Sequence, residues 1–167
     1  VSAQAPNPPP GGGGTSASAT NTFLTAGCGV FTLQGEESDS SGQTYTSGGA
    51  DESAICLIDG STLTLTDSTI NKTGDTSSDE DSSFFGLNAA VLVGSKSTLT
   101  LTGGTVTTNG SGTNGVFATG SGSSAELSDL VIVAEGDGAH GVMATLGGIL
   151  NLTDVDILTT GAHSGAI

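Results

Sequence analysis

The chain has 167 residues, 17 acidic against 2 basic side chains and a net charge of −15, which excludes the basic footprint that nucleic acids or an anionic membrane surface require. With 28 glycines, 4% aromatic residues and no Trp, it can bury only a narrow aliphatic stack, within a length suited to one domain. It has no apolar run long enough to span a bilayer, so membrane insertion is not expected. The start at Val1, without Met or a signal-like run, fits a processed, exported chain, and the Ser/Thr/Gly-rich, Lys-poor composition fits an extracellular or cell-surface location.

Residues 1–20 read as a Pro/Gly-rich tail or arm, extended at Ala5–Pro10 and pliable at Gly11–Gly14. A disordered leader is the preferred reading; the alternative is an arm that docks on a neighbouring subunit or anchors the protein, with Val1, Pro8, Pro9 and Pro10 as its candidate assembly residues. A solenoid is expected over 21–167, opened by a short strand around Phe23 that caps it. Cys28 and Cys56 are the only cysteines; an even count in an exported chain suggests a bridge, yet in the repeat frame they differ by three residues in register. A bulge that joins them and two buried thiols both remain open.

The first coil is placed by Val30, Tyr45 and Gly49, with a polar middle segment at Glu36–Ser40. The second is placed by Ile55, Leu65, Ile70 and Gly74. An acidic inserted loop follows at 75–87. Its oxygen-rich residues Asp75, Asp79, Glu80 and Asp81 are the candidate calcium ligands. They lack both EF-hand spacing and the Gly-rich nonapeptide repeat, so a solvated loop is the preferred reading and no cofactor is required.

From Val91 one unit is written three times. The opening apolar residue recurs as Val91, Val116, Val142 and Ile167, at steps of 25, 26 and 25. Leu101, Leu127 and Leu152 keep step with it, as do Val106, Ile132 and Ile157, then Gly110, Gly136 and Gly161. A period in the twenties marks a solenoid. Strict alternation in Ser61–Thr66 and Ser97–Thr102, with β-branched anchors and no helical periodicity, makes the chain all-β. Each coil is expected to carry three short strands, separated by turns at Asp59-Gly60, Gly94-Ser95, Gly120–Gly122 and Gly147-Gly148, then at Asp67, Gly103-Gly104, Asp129 and Asp154. Leu63, Leu65 and Ile70 should stack on Leu99, Leu101 and Val106, with Thr62, Thr64 and Thr66 facing water. The crossover rule favours a right-handed parallel β-helix.

Ser97–Thr108 and Gly147–Gly161 resemble the repeats of bacterial secreted and surface right-handed β-helix proteins, including adhesin-like solenoids similar to autotransporter passengers. That resemblance implies the architecture; adhesins, proteases, polysaccharide lyases and fibres all use it, so activity has to be argued from a site.

No catalytic constellation emerges. Lys72 and Lys96 are the only cations, and Asp67, Asp129 and Asp154 fall at a turn where Asp caps its own backbone. His140 and His163 lie at different offsets in Gly-rich turns and read as surface residues. The Thr rows lose their regularity at Ser124, Glu126 and Ser128, which argues against an ice-binding face. Sequons place candidate glycosylation at Asn71, Asn109 and Asn151. Ile167 falls on the opening position of a further coil, which fits either the ordered part of a longer protein or an open edge that templates more pairing as an assembly surface. The expected role is therefore an extracellular fibre or matrix subunit that self-associates into filaments. The alternative is an adhesive or stalk segment of a larger adhesin that binds carbohydrate or a surface protein; a carbohydrate-active enzyme is a remote third.

Overall fold

The computed structural model describes residues 28–167 together with the strand β1 (Ser2–Ala3). The candidate assembly residues Val1, Pro8, Pro9, Pro10 and Phe23 lie outside the described residues. About five coils of a parallel β-solenoid follow one another. Coil 1 holds β2 (Gly29–Gln34), β3 (Glu37–Ser41) and β4 (Thr44–Ser47), and coil 2 holds β5 (Ser53–Ile58) and β6 (Thr62–Thr73). After the helix α1 (Asp79–Phe85), coil 3 holds β7 (Val91–Val93) and β8 (Thr98–Asn109). Coil 4 holds β9 (Val116–Thr119) and β10 (Ser124–Ala134), and coil 5 holds β11 (Val142–Thr145) and β12 (Ile149–Thr159).

Two ladders run the length of the solenoid, β2-β5-β7-β9-β11 and β3/β4-β6-β8-β10-β12. Beyond coil 1, the expected second and third strands of each coil are one strand, bent at a left-handed corner. That corner is Asp67, Asp129 or Asp154 at φ 49, 52 and 52, and in coil 3 the pair Gly103-Gly104 at φ 71 and 90. One left-handed residue turns the chain while its neighbours stay in the ladder, and Asp and Gly adopt that conformation at least cost.

The inward columns follow the expected register. Leu63 pairs with Leu99, Leu65 with Leu101 and Ile70 with Val106, and these columns continue to Leu150, Leu152 and Ile157. Leu63, Leu65, Leu99 and Leu101 are fully buried, and each such side chain contributes about 2 kcal/mol. The first coil departs from expectation. Phe31, not Val30, pairs with Ile55, and Val30 is 59% exposed. The Phe31 ring packs against Tyr45 with centroids 5.3 Å apart, so two aromatic rings close this end where the middle strand is polar.

The β5-β7-β9 face is buried on both sides, and every residue of β5 is buried. Its outer column runs Thr32, Cys56, Leu92, Phe117, Met143. The segment after α1 roofs this column: Ala89 joins its cluster, and a Cβ on Gly86 would strike Leu92 and Phe117. Cys28 bonds to Cys56 across this outer face, with Cα atoms 5.9 Å apart. The register mismatch is accommodated because Gly29, lacking a Cβ, lets the chain cross directly over Cys56.

The insertion is not simply a solvated loop. Ser78 caps α1 by accepting from the Asp81 amide at 3.2 Å, and Gly86 at φ 80 ends it. Asp79, Glu80 and Asp81 occupy its first turn, where the helix dipole favours carboxylates.

Coils approach closely along Gly74, Gly110, Gly136 and Gly161, where an added Cβ would collide with the backbone of the coil before. Gly136→Ala should therefore lower the unfolding free energy by about 3 kcal/mol, the upper end for overpacking. Gly138→Ala faces open space at φ 66 and should cost only about 1 kcal/mol, for the left-handed backbone. Urea denaturation of the two variants measures the contrast.

Candidate functional site

Helix α1 is a strap across three coils. The Ser82 hydroxyl donates to the Gly112 carbonyl in coil 3 at 2.5 Å. In coil 5 the Thr145 hydroxyl donates to the Phe84 carbonyl at 2.7 Å and lies 3.0 Å from the Thr119 hydroxyl of coil 4. The fully buried Asn114 is the hub between them. Its Nδ2 donates to the Ser82 carbonyl at 3.1 Å and to the Ser82 hydroxyl at 3.2 Å. Its Oδ1 accepts from the His140 amide at 3.0 Å and faces His140 Nδ1 at 3.2 Å.

Between the strap and the turns of coils 3 to 5 lies a groove of about 300 Å³, lined by Asp79, Ser83, Ser111, Asp137, His140 and His163. The two histidines do not stack, yet they share this groove. His140 is more than the surface residue expected. It is half-buried and its amide and ring nitrogen both meet Asn114. Because Asn114 Oδ1 can only accept, Nδ1 carries the proton and Nε2 keeps its lone pair. Burial pushes the His140 pKa below its ordinary 6.5, opposed by the Gly138 backbone. With two carboxylates and a neutral imidazole, the groove is rich in acceptors and suits donor-rich ligands such as hydroxyls or amines.

The candidate calcium ligands do not converge. Asp75 accepts from the Ser111 amide of the next coil at 2.8 Å, a bond repeated by Asp137 to the Ala162 amide at 2.9 Å. Asp79, Glu80 and Asp81 follow one another in the first turn of α1, with Asp79 lining the groove, and among the described residues no group of three side chains could hold a metal ion. Of the sequon residues, Asn109 and Asn151 are exposed and Asn71 is partly buried.

From sequence Lys72 reads only as one of two cations. It is fully buried, in the inward column of Ser47 and Thr108. Its ammonium donates to the carbonyls of Gly49 at 2.8 Å, Gly74 at 3.3 Å and Thr73. Burial pushes its pKa down, while Glu52 first, then Asp51 and Asp75, favour the charged form. The available signal was parity: Lys72 lies two residues past Ile70, on the inward face.

The second candidate is the edge of coil 5. Val155 and Ile157 are only partly buried, and Leu158 and Ile149 are 56% and 45% exposed. Gly165 and Ala166 accept from the amides of Gly141 and Val142, so the backbone continues the ladder register up to Ile167, which is 60% exposed. The strand β1 pairs antiparallel with β12, Ser2 opposite Asn151 and Ala3 opposite Leu150, where every coil-to-coil pairing is parallel. No protein-family model, no curated protein and no solved structure matches this chain.

The lowered His140 pKa fixes a sign. The unfolded chain takes up this proton near pH 6.5 and the folded chain only at lower pH, so the contribution is complete above pH 6.5 and is lost as pH falls through the folded pKa. Unfolding free energy should decline between pH 7 and pH 5.5, above the range where ordinary carboxylates titrate. His140→Gln should flatten that decline in pH-dependent denaturation.

Proposed function

We propose that this protein is an extracellular structural solenoid, a fibre or matrix subunit that assembles end to end through the edges of its coils. The carrying observation is that the two ends present matching columns. Extending the ladder register by one coil would set Leu33 over Ala144 and Tyr45 over Ile157, beside the chain's own Gly165–Ile167, which already holds the place over Val142. The outward columns are compatible in charge, since Glu37 would meet Ile149 and Asp39 would meet Asn151. The Cys28–Cys56 bridge and the resemblance to bacterial surface solenoids favour an exported location. Head-to-tail contacts of this kind do not close and give filaments.

Sedimentation and electron microscopy of the purified chain test this reading. Filaments with an axial rise of about 24 Å per subunit, five spacings of ~4.8 Å, are expected. Ile157→Asp, which places a charge in the interface column, should abolish them without changing the circular dichroism of the subunit. A wild-type chain that stays dispersed at every concentration overturns the reading.

The acceptor-rich groove beside the strap favours a second reading, a binding module of an adhesin that recognises carbohydrate. On a glycan array, retention of a neutral or amino-sugar oligosaccharide that is lost in Asp137→Asn would support it. An array with no retained glycan would remove it.

A further inference from the structure

The edge of coil 5 already has an occupant. Strand β1 lies antiparallel on β12, opposite Asn151 and Leu150, and among the described residues it is the only strand of the ladders that does not come from a coil. We propose that this edge is a strand-accepting surface whose resting occupant is the chain's own Ser2–Ala3 segment, and that this segment competes with a second copy for it. The proposal rests on the end-to-end reading above.

Two physical arguments select the intramolecular occupant. The first is reach. The 24 residues from 4 to 27 separate β1 from Cys28, and at about 3.3 Å per residue they can span close to 80 Å. The axial distance from coil 1 to coil 5 is four spacings, roughly 19 Å, so the chain reaches its own far edge with slack. The second is mass action. A tethered segment meets its own edge at an effective concentration on the order of millimolar, far above a micromolar concentration of free copies.

Exclusion follows from the backbone. A β-strand offers one row of donors and acceptors on each side, and β12 uses one row on β10. An incoming coil must pair in parallel with the other row along Ile149–Thr153, where coil 1 would bring β3. The antiparallel Ser2–Ala3 strand takes part of that same row. Both cannot bond there at once, so stacking requires β1 to leave. An exposed edge is an aggregation liability, and a short, weak, displaceable cover both protects it and leaves it usable.

The experiment compares the full chain with a chain lacking residues 1–5, and with Ala3→Pro, which keeps the length but removes a backbone donor from β1. Sedimentation gives the concentration at which each begins to assemble, and hydrogen exchange reads the amides of Ile149–Leu152. We expect the truncated chain and Ala3→Pro to assemble at a concentration at least about tenfold lower, with faster exchange at Ile149–Leu152 in dilute monomer. Equal assembly thresholds and unchanged exchange overturn the cap and leave end-to-end assembly standing. Failure of all three chains to assemble overturns both. A Ser2→Cys/Asn151→Cys pair distinguishes the occupant: a cross-link within one chain that blocks assembly until reduced supports the proposal. Cross-linking between chains, or none, overturns the intramolecular cap.

Discussion

Each coil is held to the next by backbone hydrogen bonds running along the solenoid axis, and those bonds impose one spacing and one register on everything else. At ~4.8 Å per coil, a side chain rests on the residue at the same place in the coil before. Ile70 must therefore be followed by Val106, Ile132 and Ile157. The same spacing leaves no room for a Cβ where Gly136 crosses Gly110. Aliphatic columns and glycine columns are two consequences of one constraint.

The corners extend that logic to polar atoms. Turn carbonyls and amides inside a narrow solenoid have little water, so side chains of the adjacent coil must satisfy them. Ser61 donates to the carbonyls of Leu33 and Ile58, and its own amide donates to the Ser97 hydroxyl at 3.1 Å. Asp75 and Asp137 accept from the next coil. Lys72 fills the same role where three carbonyls converge. Many of the polar groups that first suggest chemistry are thus occupied in holding coils together.

The strap has a different cause. The β5-β7-β9 face carries apolar residues on its outer side, and an exposed column of Cys56, Leu92, Phe117 and Met143 would be a liability. The insertion after coil 2 covers it, and the bonds from Ser82 and Asn114 hold the cover in place. The groove exists because α1 stands beside the turns and does not merge with them. At the other extreme, the coil-5 edge carries a backbone ladder that, unlike a packed core, has no intrinsic stopping point.

Much of this was legible in the chain itself. The alternation in Thr62–Thr66, the repeated anchors and the spaced glycines determined the solenoid, its period and the pairing of Leu65 with Leu101, because stacking identical coils leaves a strictly periodic trace. The unbroken apolar runs Ala54–Ile58 and Ala89–Val93 also carried the sign of a face buried on both sides. Tertiary structure alone decided the rest. Which of Val30 and Phe31 turns inward depended on the ring packing of Tyr45, and the Cys28–Cys56 bridge depended on a crossing over Gly29. The strap helix, the Asn114 hub and the placement of Ser2–Ala3 on β12 join residues that obey no repeat. A periodic pattern specifies the contacts that recur from coil to coil; a contact made once leaves no period to read.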